Sequence, residues 1–473
     1  MSDTRGPEGI DPQRLEICLE VLAELESLPL DHPDATRVRR ATADLFKTIK
    51  LLRRKARREE DALVTASTAT AAPGRIDDET QGIELTVPTD GTSSVGVLHR
   101  SRACYVCKQR FREVHPFYHQ LCPPCAELNW ARREARTDLT GRRALLTGGR
   151  AKIGMYIALR LLRDGAHTTI TTRFPQDAVR RFAAMSDSAD WLHRLRVVGI
   201  DLRDPRQVVT LADEVAAQGS LDVLINNAAQ TVRRSPGAYS ELVAAETATR
   251  PDGPLPEVVT LGSPNHEHPL ALGTHAFDAE ELTALAMTSG SASLHRVAAN
   301  TAIDAGGLVP DLAAVNSWTH KVDEVDALEL LEVQLCNVTA PFILVSRLRP
   351  SMAASPARRT YVVNVSAIEG RFNRGYKGPG HPHTNMAKAA LNMLTRTSAE
   401  EMLTDGILMT SVDTGWITDE RPHPTKARLH IEGFRAPLDL VDGAARVYDP
   451  IVRGEAGTDL HGVFLKDYAA SPW

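Results

Sequence analysis

The sequence has little of what would place a protein in a membrane, in a secretory pathway or on nucleic acid. No apolar run approaches the length of a bilayer span, and the amino-terminal stretch "MSDTRGPEGIDPQRLE" lacks the apolar core of an export signal. The formal net charge is −5 and the pI is about 6.4, so no overall basic charge favours a phosphate backbone or an anionic membrane. We therefore expect a cytoplasmic protein that makes no membrane contact.

Cysteine is scarce as well, since the chain has six, and four of them fall into two close pairs. Cys104, Cys107, Cys122 and Cys125 follow the pattern C-x2-C, fourteen residues, C-x2-C. Each pair predicts a compact turn with two thiolates, and two such turns complete a tetrahedral Zn²⁺ site. Because four sulfur ligands leave no open position, we predict a structural zinc ion rather than disulfides. His115 and His119 lie between the pairs and are possible competing ligands.

A chain of 473 residues is too long for one ordinary core, so two or three domains are expected. Residues 1–70 are predicted to form a helical hairpin, because apolar residues recur there at three- and four-residue spacing. These residues are Leu15, Leu19, Leu22 and Leu25, followed by Leu45, Ile49 and Leu52. Their exposed stripe would need a covering surface, which favours a homo-oligomer or another protein partner. The basic run 47–58 keeps nucleic acid open as a less favoured partner. Residues 71–137 are assigned to a linker and the zinc module.

Residues 138–473 alternate between apolar strands and amphipathic helices. The strands "RRALLTGG", "HTTITTRF", "RLRVVGIDLRD", "LDVLINNAAQ", "TYVVNVSA" and "GILMTSVDTG" are separated by helical stretches. This order predicts an α/β fold with a doubly wound, Rossmann-type parallel sheet. The pattern stops at about 232–320, an insertion that we interpret as a lid or substrate wall, or alternatively as an irregular loop. Within it, Asn265, His266, His268 and Trp318 are possible substrate contacts.

A glycine turn, "TGGRAKIG" at 147–154, joins the first of these strands to a helix. Such a turn brings free N–H groups of the helix to a pyrophosphate. Markers follow at the ends of later strands and in later helices: Arg173, "DL" at 201–202, "NNAA" at 226–229, "CNVTAPF" with Asn337, "NVSA" with Ser366, Lys388, and "DTGWIT" at 413–418. From about Thr140 onward, outside the insertion, the chain resembles the short-chain dehydrogenase/reductase superfamily.

The resemblance implies a nucleotide cofactor bound along the carboxyl ends of the strands. It would assign the phosphates to Gly148, Arg150, Lys152, Ile153 and Gly154, the adenine to Asp201 and Leu202, the ribose side to Asn227 and Ala228, and the nicotinamide side to Lys388, Gly415, Ile417 and Thr418. Lys152 departs from the family, which usually has a second glycine there. The second strand ends in Arg173 and has no acid to accept bonds from ribose hydroxyls, so NADP(H) is favoured over NAD(H).

The resemblance also implies a catalytic set in which a tyrosine exchanges the proton with the substrate. Ser366, Asn337 and Lys388 match that set, but Thr384 stands one helical turn before the lysine, where the tyrosine is expected. A threonine hydroxyl is a poor terminal acid. His381, two turns before the lysine, and Tyr376, on the loop "NRGYKGPG", are the other candidate proton donors.

The sequence therefore favours an NADP(H)-dependent oxidoreductase that reduces a carbonyl or imine of a small molecule with a modified proton donor. The alternative is a catalytically silent nucleotide-binding scaffold or redox sensor, which would use its zinc and helical modules to bind protein or nucleic-acid partners.

Overall fold

The computed structural model describes residues 9–29, 31–72, 94–234, 236–262, 307–308, 313–373, 375–417 and 420–473. Four residues with predicted roles lie outside the described ranges: Asn265, His266, His268 and Thr418.

Two helices open the described chain. Helix α1 covers Pro12–Glu24 and begins at Asp11, whose carboxylate accepts hydrogen bonds from the backbone N–H groups of Gln13 and Arg14. Helix α2 covers Pro33–Ala66 and is 34 residues long. Their apolar stripes are open to solvent, with Leu45 59% and Leu52 60% exposed. The partner predicted for these stripes remains a prediction.

The cysteine-rich region forms a small module between α2 and the sheet. Strands β1 (Gly96–Ala103) and β2 (Arg110–Val114) pair antiparallel, and helix α3 (Pro123–Glu134) follows. The module shares one apolar core with the sheet domain, in which Phe117 and Leu121 meet Leu438 and Leu440. The module and the sheet domain are therefore packed against each other.

A nine-stranded sheet forms the centre of the molecule, in the order β11-β10-β9-β8-β6-β3-β4-β5-β7. The strands are β3 (Arg143–Leu146), β4 (His167–Thr172), β5 (Leu195–Gly199), β6 (Val223–Asn226), β7 (Glu257–Thr260), β8 (Thr360–Ser366), β9 (Ile407–Asp413), β10 (Phe464–Lys466) and β11 (Ala469–Ser471). Among these strands of the described residues, only β11 runs antiparallel to its neighbour. The order β5-β4-β3-β6-β8-β9 is that of a doubly wound nucleotide-binding sheet, which confirms the predicted fold class.

Helices cover both faces of this sheet. They are α4 (Lys152–Arg163), α5 (Pro175–Ala183), α6 (Pro205–Ala217), α7 (Ser240–Glu246), α8 (Ala327–Gln334), α9 (Ala340–Ala353), α10 (Pro382–Leu403), α11 (His423–Ile431) and α12 (Leu440–Glu455). A π-helical segment, Leu335–Thr339, joins α8 to α9. Leu145 and Leu146 are both fully buried but belong to different cores, because successive strand residues point to opposite faces.

The continuous helical stretch Ala327–Ala353 is long and apolar enough, by length and composition, to cross a membrane. The expectation that no segment has this property was therefore wrong. In this fold the stretch packs on α6 and on β8, and 44% of its most apolar window is buried inside the protein. Core helices of parallel sheets need an apolar surface for such packing.

The insertion contains regular structure that the sequence did not predict. Strand β7 pairs parallel with β5, from Arg196 opposite Glu257 to Gly199 opposite Thr260, and extends the sheet by one edge strand. Helix α7 packs on α5 beside it. A four-residue strand shows almost no alternation of its own, and its hydrogen bonds come from an edge that sequence alone does not reveal.

Candidate cofactor and catalytic site

The glycine turn between β3 and α4 has the tight geometry that its sequence predicts. Gly148 has φ +70°, and a Cβ there would lie 3.0 Å from Ala228. A Cβ on Gly154 would lie 1.9 Å from the carbonyl oxygen of Gly148, so no side chain fits at that position. The Asn227 amide donates hydrogen bonds of 3.0 Å to the carbonyl oxygens of Thr147 and Gly148. These contacts hold the turn at the N-terminus of α4, where an anion is favoured.

A cavity of about 400 Å³ opens in front of this turn, at the carboxyl ends of the central strands. Ten predicted cofactor residues line it: Gly148, Arg150, Lys152, Ile153, Gly154, Arg173, Asp201, Leu202, Asn227 and Ala228. Lys388, Gly415 and Ile417 are not among the lining residues. The cavity therefore brings together the residues expected at the phosphates, the adenine and the adjacent ribose.

Arg173 reaches the cavity from the end of β4. Its guanidinium carbon lies 4.9 Å from the ring centre of Tyr239 and 5.6 Å from that of Phe174, which are cation–π distances. No carboxylate of the described residues forms an ion pair with it. The sequence analysis missed Tyr239, because it belongs to the insertion and only folding places it opposite β4.

The two other predicted cations of the turn differ in their surroundings. Arg150 forms an ion pair with Asp177, which in turn pairs with Arg181 at 2.6 Å. Lys152 is the first residue of α4 and has φ +54°, a left-handed conformation that glycine adopts freely and lysine does not. The backbone thus retains the shape of the usual glycine although the side chain is a cation.

Asp201 lies at the end of β5, and its carboxylate is held by Arg203. The Arg203 guanidinium donates hydrogen bonds of 2.6–3.1 Å to both carboxylate oxygens, and its other end reaches Glu332 at 3.0 Å. Burial opposes ionisation of Asp201, but the hydrogen bonds and charge of Arg203 outweigh it and hold the pKa below its usual value. Arg203, which the sequence analysis missed, also lines the cavity.

Ser366 and Lys388 meet at the carboxyl end of β8. The Lys388 ammonium donates a 2.8 Å hydrogen bond to the carbonyl oxygen of Val365, next to Ser366. Burial lowers the pKa of Lys388 to about 8. The Ser366 hydroxyl donates a 2.6 Å bond to the Asn392 side chain, one turn after Lys388 on α10. Asn392 was not predicted, although its four-residue spacing from Lys388 places both residues on one helix face.

Asn337 lies in the π-helical segment between α8 and α9. Its side-chain oxygen accepts a 2.7 Å hydrogen bond from the N–H of Gln230, and its amide donates at 2.9 Å to the carbonyl oxygen of the same residue. Asn337 is therefore fixed to the loop that follows β6. Short π-helical segments are frequent at functional sites.

Thr384, in the tyrosine position, is 2% exposed at the start of α10. Among the described residues its hydroxyl has no hydrogen-bond partner. The neighbouring His383 is equally buried, and its Nε2 lies 3.7 Å from a carboxylate oxygen of Glu329, beyond hydrogen-bond length. The start of α10 thus buries two polar side chains whose hydrogen-bonding capacity is unused within the described structure.

The other two candidate proton donors have different environments. His381 stacks on Trp318 of the insertion with ring centres 3.9 Å apart, and its Nδ1 makes a 2.9 Å hydrogen bond to the Trp318 carbonyl oxygen. Burial lowers the pKa of His381. Tyr376 is 77% exposed, and its role as a proton donor stays a prediction.

The predicted nicotinamide loop follows β9. Gly415 has φ +82° and donates a 2.9 Å backbone hydrogen bond to the Asp413 side chain. Ile417 is 2% exposed and packs in the core that the module shares with the sheet domain. The loop is therefore fixed at both ends of its described part.

The four cysteines converge as a metal site requires. Their sulfur atoms all lie within 4.8 Å of one another, and the Cys107 and Cys122 sulfurs are 3.6 Å apart. Ligation of Zn²⁺ at about 2.3 Å would place sulfur atoms about 3.8 Å apart in a tetrahedron, so the cysteines fit the ion. His119 bonds to Thr70 at 2.8 Å, and His115 accepts a bond from the N–H of Phe117. Both histidines are thus engaged elsewhere.

Comparison with known proteins identifies relatives of this chain. The family described as "short chain dehydrogenase" matches residues 142–248. An uncharacterized protein of Acanthamoeba polyphaga mimivirus, R665, is 31% identical over 365 residues, which cover 74% of this chain and 71% of that protein. A probable oxidoreductase of Streptomyces antibioticus is 38% identical over 94 residues, 19% of this chain and 30% of that protein.

Solved structures include a short chain dehydrogenase from Burkholderia cenocepacia J2315 in complex with NADP. It is 20% identical and superposes with a TM-score of 0.44 over 70% of this chain and 97% of that one. The family match covers the β3–α4 turn and the strands that surround the cavity. The chain is a divergent member of the short-chain dehydrogenase/reductase superfamily.

Proposed function

We propose that the protein is an NADP(H)-dependent oxidoreductase that reduces a carbonyl or imine carbon of a small molecule. One observation carries the proposal: the 400 Å³ cavity lies against the glycine turn, and Arg173 enters it from the end of β4. When bound, the cofactor would supply the hydride. The NADP complex of the Burkholderia cenocepacia relative supports the same cofactor choice.

Arg173 would select the phosphorylated cofactor. A guanidinium can bind a 2′-phosphate through two charge-assisted hydrogen bonds, and the rings of Tyr239 and Phe174 hold the guanidinium in place. The N-terminus of α4 and Lys152 would bind the pyrophosphate. Arg203 pairs with Asp201 and offsets its negative charge. Asp201 therefore adds less negative charge to the cofactor site than its sequence position implies.

The predicted catalytic residues, which do not line the cavity, would bind and orient the reacting groups. Lys388 would bind the nicotinamide ribose, and its ammonium group stays protonated at a pH below about 8, because burial lowers its pKa to about 8. Ser366 would turn its hydroxyl from Asn392 toward the substrate oxygen. Thr384 would contact that oxygen through its hydroxyl, which has no hydrogen-bond partner in the described part of the chain. Asn337 would keep the loop after β6 in place against the end of α8.

Zn²⁺ at Cys104, Cys107, Cys122 and Cys125 would be structural. The module is small, and in such modules metal binding supplies much of the folding free energy. All four ligand positions are filled by sulfur, so the ion has no site for substrate.

A panel of aldehydes, ketones and imines tests the proposal through loss of reduced-nicotinamide absorbance. We expect at least one compound to be reduced, and Lys388→Met to lower the rate on the order of 100-fold, because the site loses its buried cation. Lys50→Met, an exposed position on α2, is the matched control and should leave the rate unchanged. Thr384→Val, which keeps the side-chain shape and removes the hydroxyl, should also slow the reaction.

If the protein binds NADPH and reduces no member of the panel, the scaffold or sensor alternative gains support. Equal rates for wild type and Lys388→Met would contradict the assigned site.

A further inference from the structure

Tyr105 connects the cysteine module to the loop that follows β9. It stands between Cys104 and Cys107, inside the first metal-binding turn. Its phenol oxygen accepts a 2.8 Å hydrogen bond from the backbone N–H of Trp416. The same oxygen lies 3.5 Å from the position that a Cβ on Gly415 would occupy.

The cysteine turn and the sheet domain hold Tyr105 from several sides. Its own N–H donates a 2.8 Å hydrogen bond to the carbonyl oxygen of Gln120, close to the second cysteine pair. The Lys466 ammonium lies 5.6 Å from its ring centre and also pairs with Asp413 at 3.2 Å. Asp413 in turn accepts the N–H of Gly415. The ring is therefore fixed relative to both the metal turn and the end of β9.

The loop itself depends on this contact. Gly415 has φ +82°, and the chain then passes Trp416, whose N–H has no strand or helix partner and is satisfied by Tyr105. Ile417 completes the attachment, because it packs in one core with Cys104 and Cys122. The described part of the loop is thus shaped by the module on one side and by β9 on the other.

We propose that Tyr105 is a positioning residue for the nicotinamide half of the cofactor, and that the metal-bound turn serves to hold the 413–417 loop in its binding conformation. The proposal rests on the proposed function, in which this loop contacts the nicotinamide. In that function the adenine half would lie along the ends of β4 and β5, where Tyr105 is not among the residues that line the cavity.

Tyr105→Phe tests the proposal, because it keeps the ring and removes only the hydrogen-bond acceptor. Calorimetric titrations would compare NADPH with adenosine 2′,5′-bisphosphate, which carries the adenine, ribose and 2′-phosphate but no nicotinamide. We expect the affinity for NADPH to fall about threefold to tenfold, the effect of one lost hydrogen bond, and the affinity for the bisphosphate to stay unchanged. The zinc content, measured in parallel, should equal that of the wild type.

Tyr118→Phe is the matched control. Tyr118 lies in the same module, but its hydroxyl donates a 2.6 Å hydrogen bond to the Asp442 side chain on α12 and makes none to the 413–417 loop. This variant should lower stability without changing the ratio of the two affinities. An equal loss for both nucleotides in Tyr105→Phe, or no loss for NADPH, would overturn the positioning role. Wild-type protein that binds neither nucleotide would instead refute the proposed function on which it rests.

Discussion

Lys152 combines two properties that rarely occur at one position. Its backbone is left-handed, with φ +54°, and its side chain brings a positive charge to the phosphate end of the cavity. A left-handed conformation costs a residue with a Cβ about 1–2 kcal/mol, whereas glycine adopts it freely. The left-handed backbone thus costs stability at the position where, in the proposed function, a cation binds the cofactor phosphates.

Lys152→Gly should raise the free energy of unfolding by about 0.5–1 kcal/mol, because the strain disappears and glycine's extra chain entropy offsets part of the gain. The same change should weaken NADPH binding, because the cation is lost. Denaturant unfolding and a nucleotide titration measure the two effects.

Lys152→Ala separates the effect of the side-chain charge on binding from the effect of the backbone strain on stability. Alanine removes the cation but keeps the strained backbone, so it should weaken binding without the gain in stability. A glycine variant no more stable than the alanine variant would contradict the strain assigned to this residue.

At the scale of single residues, ten of the predicted cofactor residues line one cavity, because strand ends and glycine turns have fixed places in a parallel sheet. Gly148, Gly154 and Arg173 could be predicted from their place after β3 and β4. Tyr239 and Tyr105 could not, because each acts on a residue distant in sequence. The ion pairs of Arg203 with Asp201 and Glu332 could not be predicted either, because Glu332 is distant from Arg203 in sequence.

Among the structural elements, α3 and α12 bind the cysteine module to the sheet domain through buried charges. Arg133 of α3 donates hydrogen bonds of 2.6 and 3.0 Å to Asp439, the residue that caps α12, and one of 3.2 Å to Asp442. Burial opposes the charge on Arg133, but the two carboxylates outweigh it and raise the pKa of the guanidinium. A buried ion pair fixes geometry more than it adds stability, and loss of one partner is costly.

Removal of zinc should therefore destabilise more than the module alone. We expect a chelator to lower the midpoint of thermal unfolding. The free energy of unfolding should fall by an amount on the order of several kcal/mol, because metal binding in such modules is largely folding free energy. Differential scanning calorimetry measures the shift, and added Zn²⁺ should restore it where Mg²⁺ does not.

Two cysteine variants serve as test and control. Cys107→Ser should lower the midpoint of thermal unfolding without a chelator, whereas Cys18→Ser, at an exposed position on α1, should leave the midpoint unchanged. Equal midpoints for Cys107→Ser and wild type would contradict a structural metal.

The elements of the sheet were predicted more fully than those of the insertion. Strands β3, β6 and β8 are predicted from apolar runs bounded by turns, and the structure buries both of their faces. Strand β7 is half exposed at the sheet edge, and its sequence carries no comparable signal.

In the whole molecule, the module and the insertion both contact the part of the sheet domain that holds the predicted cofactor site. Tyr239 of the insertion stands over Arg173 at the adenine end, and Trp318 of the insertion stacks on His381 at the start of α10. The cysteine module contacts the loop after β9. The additions to the sheet thus contact the predicted site rather than lie apart from it.

Calorimetric titration of the zinc-loaded protein with NADPH, beside NADH, tests the central claim most directly. The account predicts that NADPH binds, that NADH binds more weakly, and that Arg173→Ala weakens NADPH about 10- to 100-fold, as expected for lost hydrogen bonds to a charged phosphate. Arg58→Ala, an exposed position on α2, should bind NADPH as the wild type does. Binding of neither nucleotide would contradict the oxidoreductase and leave a scaffold built on the same fold.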